Sequence, residues 1–230
     1  MVNSLLRHLS FRLLPGRCLL CLGDTNTCED ICAPCKSELP WLGHHCLRCA
    51  LPLAHDAVCG QCLQSPPRFD DCVAAWEYTY PLDQLISRFK YQGRWLEGNL
   101  LAELALPRLR AQIQPDLIVA VPMHWQRRLK RGFNQADIIA RHWASALNIP
   151  MLHGLYRQHA NPPQQGLSAR QRHRNLQSAF ALHADALVAD KHIALVDDVV
   201  TTAATANNLA AILRKAGAER ISVWCLARTP

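Results

Sequence analysis

The sequence predicts an α/β fold in which a parallel sheet carries helices on both faces and follows a small cysteine-rich segment. After residue 66, short apolar runs alternate with stretches of helical periodicity, which is typical of a parallel sheet. Ten of the eleven cysteines fall between Cys18 and Cys72, so they are concentrated in the N-terminal third. Half of the 230 residues are apolar, so a domain of ordinary size can bury a core beside the small segment.

Eight of these cysteines form four Cys-x2-Cys pairs, a spacing that indicates tetrahedral zinc more often than disulfides. The first two pairs and the last two are predicted to form one four-cysteine site each, although a cross-braced pairing stays open. The predicted ligands are Cys18, Cys21, Cys32 and Cys35 at the first site and Cys46, Cys49, Cys59 and Cys62 at the second. Because such sites leave no open coordination position, both zincs are predicted to be structural.

The other cysteines and histidines of this segment are weaker ligand candidates. Cys28 and Cys72 are predicted to be spare, and three histidines could substitute for a cysteine, namely His44, His45 and His55. The segment has few apolar residues, so zinc binding is expected to supply its folding energy. Pro66-Pro67 closes it and divides the chain into residues 1–66, an N-terminal helix with a double zinc ribbon, and residues 67–230.

The elements of the second region follow from periodicity and from turn residues. Strands are predicted over residues 72–80 and 117–121, and helices from Pro81, over residues 96–113 and from Asn134 as N-cap. The apolar side chains expected to be buried on these helices are Leu82, Leu85, Ile86, Phe89, Ile138, Ile139, Trp143 and Leu147.

One motif carries most of the chemical information. An apolar run from Ile193 ends in Asp197-Asp198, and Thr201-Thr202-Ala203-Ala204-Thr205 then opens a helix that stops at Gly217. An acidic pair and a hydroxyl-rich turn at a helix N-terminus form a phosphate cradle, because free N–H groups and the positive helix end face the anion. The carboxylates can hold sugar hydroxyls or Mg²⁺. The simpler explanation is a negative charge that complements the helix dipole.

This motif resembles the ribose-5-phosphate-binding motif of type I phosphoribosyltransferases, which bind phosphoribosyl pyrophosphate (PRPP). The resemblance implies that Asp197 and Asp198 are catalytic, that residues 201–205 bind PRPP, and that Mg²⁺ accompanies PRPP. The sequence departs from the family pattern at Ala203, where Gly is usual, and Ala fits there if φ is negative. Thr201 stands where purine-salvage members carry Asp, which argues against purine-base salvage.

Positive charge is concentrated in one window of the chain. The formal net charge is +7, and residues 124–174 contain nine Lys or Arg against one acid, so the window carries +8 and the remainder is about neutral. A focused basic region indicates a polyanionic partner, either a phosphorylated small molecule or nucleic acid, although a solvated basic face gives the same pattern.

The sequence also favours a location inside the cell. No uncharged apolar run approaches the ~20 residues that a membrane span needs. Arg7 and Arg12 interrupt the apolar N-terminus, which therefore does not have the form of a signal peptide. We expect a cytoplasmic protein without a membrane span.

Further short motifs extend the resemblance over nearly the whole chain. They are Phe89-Lys90-Tyr91-x-Gly93, Arg131-Gly132-Phe133-Asn134-Gln135, Gln164-x-x-Leu167 and Arg172-x-x-Asn175. Together with the cysteine pairs and the acidic motif, they resemble the ComF/GntX family. That family couples an N-terminal zinc-ribbon segment to a phosphoribosyltransferase fold and is linked to natural competence and to the use of external DNA as a nutrient.

The resemblance also implies roles for the basic residues. The loop over residues 123–133 corresponds to the pyrophosphate loop, in which Arg127, Arg128 and Arg131 are candidate phosphate ligands, because the guanidinium fork matches phosphate oxygens. Lys90 is a further candidate for PRPP binding. The segment over residues 161–174 corresponds to a lid, and its candidate residues are Gln164, Arg170, Arg172 and Arg174.

The implied function is DNA uptake or the use of external DNA, with a PRPP-binding site of phosphoribosyltransferase type and an acceptor that the sequence does not show. Two alternatives stay open: a non-catalytic protein that binds single-stranded nucleic acid, and a regulator that senses PRPP. The implied partners are PRPP or a related phosphorylated sugar, single-stranded DNA and proteins of the competence machinery.

Overall fold

The computed structural model describes residues 16–25, 29–123, 129, 131–157 and 180–230. In chain order the elements are α1 (Ala33–Ser37), α2 (Gly60–Gln64), β1 (Asp71–Glu77), α3 (Leu82–Gln92), α4 (Trp95–Arg110), β2 (Leu117–Ala120), α5 (Gln135–Leu147), β3 (Leu155–Arg157), β4 (Phe180–Leu182), β5 (His192–Val200), α6 (Ala204–Lys215) and β6 (Arg220–Arg228). None of the helices in these ranges is long and apolar enough to cross a membrane.

A four-stranded sheet in the order β1-β6-β5-β2 forms the centre of the molecule. Each neighbouring pair is parallel, as the sequence predicts, while β3 and β4 form a separate antiparallel pair. In the central strand, Val196 lies between Ala120 of β2 and Trp224 of β6. All four strands therefore end at the same edge of the sheet, where parallel α/β proteins bind ligands.

Both faces of the sheet are covered by helices. Successive residues of β5 point in opposite directions and therefore pack into different cores. Ala194 and Val196 belong to a core shared with buried residues of α3, α4 and α5. Ile193 and Leu195 belong to the opposite core, which includes buried residues of α6. The predicted arrangement of helices on both faces is confirmed.

The helices agree with the apolar periodicity, with differences at their ends. The four predicted residues of α3 are all buried. On α5, Ile139 and Trp143 are buried, whereas Ile138 and Leu147 are only half-buried at the edge of the core. Helix α4 ends earlier than predicted, because the side chain of Gln114 donates to the carbonyl of Leu109 at 3.0 Å and so closes the last turn.

The cysteine-rich segment is attached along strand β1. The backbone N–H of Leu42 donates to the carbonyl of Ala75 at 3.0 Å, and that of Glu77 donates to Pro40 at 2.9 Å. The indole of Trp41 lies against that of Trp76, with ring centroids 4.9 Å apart. Since Trp76 is fully buried, this segment completes the core of the sheet as well as its own.

Candidate functional site

The structure brings the eight predicted zinc ligands into two clusters of four. The sulfurs of Cys18, Cys21, Cys32 and Cys35 all lie within 4.8 Å of one another, and so do those of Cys46, Cys49, Cys59 and Cys62. This is the adjacent pairing and not the cross-braced one.

The spacing of the sulfurs fits a tetrahedral zinc site. Zn–S bonds of about 2.3 Å place neighbouring sulfurs about 3.8 Å apart in a tetrahedron. The sulfurs of Cys21 and Cys32 are 3.7 Å apart, and those of Cys49 and Cys59 are 3.8 Å apart. Burial raises the pKa of the Cys46 thiol, but backbone hydrogen bonds from Cys59, Cys49 and Arg48 outweigh it and lower the pKa to about 6. Burial raises the pKa of the Cys49 and Cys62 thiols in the same cluster, so the distances between the sulfurs, and not the pKa values, support the zinc site.

The residues considered as substitute ligands lie elsewhere. His44 is 3.2 Å from a carboxylate oxygen of Asp56, and the ring of His45 bonds the carbonyl of Gly43 at 2.7 Å. Cys72 is buried in β1, where its neighbour Cys225 and burial raise its pKa well above the usual value. Cys28 lies outside the described residues. Among the residues that the structure describes, the two clusters therefore consist of the eight paired cysteines.

The acidic pair lies inside β5, which continues to Val200 and does not end at the carboxylates as predicted. One oxygen of each carboxylate is already bonded: Asp197 Oδ1 accepts from the N–H of Asp198 at 2.9 Å, and Asp198 Oδ1 accepts from that of Val199 at 2.6 Å. Burial and the neighbouring charge of Asp198 raise the pKa of Asp197 to about 7, although that backbone hydrogen bond and Lys90 act in the opposite direction.

The hydroxyl-rich loop leads directly from β5 into α6. Thr201 and Thr202 are exposed, and the hydroxyl of Thr202 accepts weakly from the N–H of Ala204 at 3.4 Å. Ala203 is the N-cap residue of α6 and has φ +57° and ψ 9°, so the negative φ that would suit alanine is not adopted. The loop therefore makes a left-handed turn, a conformation that favours glycine, at a residue that has a Cβ atom.

A polar cleft of about 300 Å³ opens beside the acidic pair, and its walls bring together predicted residues from distant parts of the sequence. Lys90, at the end of α3, places its Nζ 3.0 Å from Asp198 Oδ1. Arg131 stacks its guanidinium over the ring of Tyr91 at 4.8 Å and bonds the side chain of Gln135 at 3.3 Å. Thr205 contributes from the first turn of α6. The cleft therefore combines two carboxylates with the cationic side chains of Lys90 and Arg131.

Several predicted residues lie outside the described part of the chain. They are Arg127 and Arg128 of the basic loop and Gln164, Arg170, Arg172 and Arg174 of the lid. Their assignment stays a prediction from the sequence.

The structure also adds residues to which sequence reasoning gave no role. Arg157 lines the cleft with its guanidinium 5.3 Å from the ring centre of Phe180. Gln135 is fully buried and donates to the carbonyl of Lys90 at 3.4 Å, so it ties α5 to the end of α3. Arg228 is buried behind the loop. A charged residue directly after the apolar stretch over residues 223–227 is a signal that could have identified it.

Two family profiles define the class of the protein. The phosphoribosyl transferase domain matches residues 99–230, and the double zinc ribbon domain matches residues 9–63. The chain therefore has a phosphoribosyltransferase-type domain preceded by a double zinc ribbon, and its two four-cysteine clusters are the structural zinc sites of that ribbon.

Full-length relatives narrow this class to one family. Competence protein F of Haemophilus influenzae is 36% identical over 92% of this chain and 96% of its own length. DNA utilization protein YhgH of Escherichia coli K12 is 38% identical over 94% of this chain and 98% of its own length. Competence protein ComFC of Bacillus subtilis is 27% identical over 87% of this chain and 85% of its own length. The chain belongs to the family of Competence protein F and DNA utilization protein YhgH, which confirms the ComF/GntX resemblance.

Proposed function

We propose that the cleft at the carboxyl end of β5 binds PRPP, or a related phosphorylated sugar, together with Mg²⁺. The observation that carries this proposal is the placement of the acidic pair. Asp197 and Asp198 stand directly before an exposed hydroxyl loop and a helix N-terminus, and they open onto a cleft that also holds Lys90 and Arg131. Carboxylates for sugar hydroxyls thus lie next to donors for phosphate.

The loop over residues 201–205 is the proposed site for the sugar phosphate. Its N–H groups and the Thr202 and Thr205 hydroxyls are donors, and α6 directs its positive end to the same place. No acidic side chain lies within the loop or the first turn of α6. Nothing in this part of the chain therefore repels a phosphate group.

The acidic pair fits the sugar and its metal. In the described part of the chain, Oδ2 of Asp197 and Oδ2 of Asp198 accept no hydrogen bond, so each carboxylate offers one oxygen to a hydroxyl or to Mg²⁺. When it is bound, Mg²⁺ neutralises the charge on the pyrophosphate oxygens. Lys90 holds Asp198 in place and supplies a second positive charge beside them.

The arginines are the proposed pyrophosphate ligands. Arg131 lies at the cleft and is fixed by Tyr91 and Gln135, so little side-chain freedom is lost when it binds an anion. Arg127 and Arg128 are proposed for the same role from their place in the basic loop, and the residues of the lid segment are proposed to cover the bound ligand.

We assign this protein to the use of external DNA, since relatives matched over almost their whole length are named for competence and for DNA utilization. We divide the chain into a ribbon segment, residues 1–66, and a phosphoribosyltransferase-type domain, residues 67–230, with the sugar-phosphate chemistry in the second. Pyrophosphate would leave from PRPP if an acceptor attacks the sugar, and the acceptor is the open part of the proposal.

Calorimetric titration of the zinc-loaded protein with Mg–PRPP tests the site. We expect micromolar binding that is lost in the double variant Asp197→Asn/Asp198→Asn, because the amides cannot replace the carboxylates toward metal and sugar. An absence of binding to the wild-type protein would refute the proposal. Equal binding by both proteins would show that PRPP binds elsewhere and not at the acidic pair. Release of pyrophosphate with candidate acceptors then separates an enzyme from a sensor.

One observation favours a second function, the binding of single-stranded nucleic acid. Tyr91 is 70% exposed and Trp95 is 55% exposed, and both lie near the Arg131 side of the cleft. An exposed ring beside arginine suits a stacked base and a backbone phosphate. Tyr91→Ala should weaken binding of an oligothymidylate by about tenfold or more, since one stack contributes roughly 1–3 kcal/mol. An unchanged affinity would exclude this surface.

A further inference from the structure

Arg228 joins the second zinc cluster to the proposed phosphate loop. It is the last residue of β6 and is only 5% exposed. Among the described residues no carboxylate pairs with it, so its charge is satisfied by backbone carbonyls and by the hydroxyl of Thr229 at 3.2 Å. A buried guanidinium without a carboxylate partner is expensive to desolvate, which indicates that its position serves a purpose beyond packing.

On one side, Arg228 holds the chain where β5 passes into the loop. Its Nη1 donates to the carbonyls of Val200 at 3.3 Å and of Thr201 over a shorter contact. It also donates to the carbonyl of Thr229 at 2.7 Å. The N–H of Thr229 in turn donates to the carbonyl of Val200 at 3.1 Å. Three carbonyls therefore converge on one nitrogen and fix the backbone immediately after the acidic pair.

These contacts set the direction of the loop's donors. The peptide between Thr201 and Thr202 is trans, so its N–H points opposite to its carbonyl. Since the Thr201 carbonyl is turned toward Arg228, the N–H of Thr202 is turned away from the guanidinium. The carbonyl of Val200 is also turned toward Arg228, so the N–H of Thr201 is turned away from it as well. Arg228 thereby organises two consecutive donors before any ligand binds.

On the other side, the same guanidinium holds the ribbon. Its Nε donates to the carbonyl of Cys49 at 2.9 Å, and Cys49 is a ligand of the second zinc cluster. The orientation of that carbonyl depends on the turn that presents Cys49 and Cys46 to one metal. With zinc bound, four thiolates leave an excess of negative charge that also favours the neighbouring guanidinium.

We propose that Arg228 is a positioning residue that couples zinc at the second cluster to the conformation of the loop over residues 201–205, and hence to sugar-phosphate affinity. The expected effect on sugar-phosphate affinity rests on the function proposed above. Loss of zinc from Cys46, Cys49, Cys59 and Cys62 releases the Cys49 carbonyl, removes one anchor of Arg228 and loosens the loop.

The first cluster provides the contrast. Its segment is tied to α3, where Arg88 donates to the carbonyl of Leu19 at 2.9 Å, and its buried residues belong to the core on the other face of the sheet. No described residue of that cluster hydrogen-bonds the loop. Zinc at the first cluster should therefore leave the loop unaffected.

Arg108 offers a matched control. It also connects the ribbon to the sheet through carbonyls alone, donating to Leu42 at 2.6 Å and to Ala74 at 2.8 Å, but it does not contact the loop. Arg228→Lys and Arg108→Lys each retain the charge and remove the planar fork. Any general loss of ribbon packing affects both variants, whereas loosening of the loop is specific to Arg228.

The experiment measures ¹⁵N relaxation of the loop amides in the zinc-loaded full-length protein and, separately, calorimetric binding of Mg–PRPP. We expect order parameters at residues 201–205 to fall below about 0.6 in Arg228→Lys and the dissociation constant to rise about tenfold or more. Arg108→Lys should match the wild-type protein in both measurements. Unchanged loop order in Arg228→Lys would overturn the inference.

The two measurements separate the proposals. If the wild-type protein does not bind Mg–PRPP but Arg228→Lys loosens the loop, the proposed function fails and the coupling stands. If Arg228→Lys does not fold, stepwise zinc removal from the wild-type protein provides the test. The loop amides must lose order when the second cluster empties and not when the first does; the reverse order, or no response, would overturn the coupling.

Discussion

At the scale of single residues, Ala203 is the position where the loop departs most from what its side chain prefers. An L-residue in the left-handed region costs roughly 1–2 kcal/mol, because Cβ approaches the following carbonyl. Ala203 adopts this conformation at φ +57°, and its N-cap position lacks a side chain that could bond the first turn of α6. The loop is therefore strained at the point where it enters the helix.

Replacing this residue should relieve the strain. We expect Ala203→Gly to raise the free energy of unfolding by about 0.5–1 kcal/mol, since glycine adopts positive φ without a Cβ clash. Chemical denaturation of the zinc-loaded protein measures it. Ala204→Gly is the control: its φ is not positive, and glycine in the first turn should lower stability. Equal changes in the two variants would show that Ala203 is not strained.

The raised pKa of Asp197 predicts a pH dependence. In the folded protein the pKa lies at about 7, against an ordinary value of 3.8, so between these values the folded state binds the proton that the unfolded state has released. Stability therefore falls as pH rises from about 4 to about 7, by at most about 1.4 kcal/mol per pH unit, and is level above that window.

Asp197→Asn removes this titration. The free energy of unfolding of the variant, relative to wild type, should increase from pH 5 to pH 8, as measured by denaturant unfolding at each pH. Asp185→Asn changes an exposed carboxylate and should show no such trend. A difference between Asp197→Asn and wild type that is constant with pH would contradict the prediction.

At the scale of elements, the sequence predicts what depends on local pattern. Helix α5 begins where Asn134 predicts it, because the Asn134 side chain accepts from the N–H of Ala136 at 3.2 Å and donates to the carbonyl of Val121 at 3.0 Å. The end of α4 is not predictable in this way, since it depends on how Gln114 folds back. The continuation of β5 through the acidic pair depends on pairing with β6, which no local pattern encodes.

The crossing of α3 and α4 depends on a glycine with no local signature. A Cβ atom at Gly98 would lie 2.5 Å from the ring of Phe89, and Phe89 is fully buried and packs against Phe133 at 5.7 Å. Phe89 directly precedes Lys90, so this close approach positions the lysine beside Asp198.

Gly98→Ala should therefore destabilise the protein by about 1–3 kcal/mol through overpacking. Thermal unfolding measures the effect, and Mg–PRPP affinity should fall as well if Lys90 is displaced. Gly43→Ala is the control, because a Cβ there meets nothing within 4 Å. A Gly98→Ala variant as stable as the wild-type protein would mean that α3 and α4 can move apart without a loss of stability.

At the scale of the whole molecule, cysteine spacing predicts both zinc sites and the acidic motif predicts the domain class. The cross-braced alternative is settled only by the three-dimensional arrangement. Spacing also cannot show that the two clusters join different cores. Cys18 and Cys35 pack into the core that includes α3 to α5, whereas Cys46 and Cys62 pack into the core that includes α6. Such long-range packing is what places Arg228 between ribbon and loop.

Zinc should therefore stabilise the entire fold and not the ribbon alone. The ribbon covers Trp76 of β1 and supplies backbone partners to that strand, so unfolding of the ribbon exposes the sheet. We expect two zinc ions per chain by elemental analysis. Chelation should lower the unfolding midpoint by at least about 10 °C, because metal binding is folding free energy in such segments.

Tryptophan emission distinguishes this effect from a local one. Since Trp76 is fully buried against Trp41, zinc removal should shift emission to the red, and Trp76→Phe should reduce that shift. A chelated protein that keeps its midpoint, and whose emission does not move, would show that the sheet is stable without the ribbon. In that case the contacts along β1 would attach a separate unit and would not complete the core.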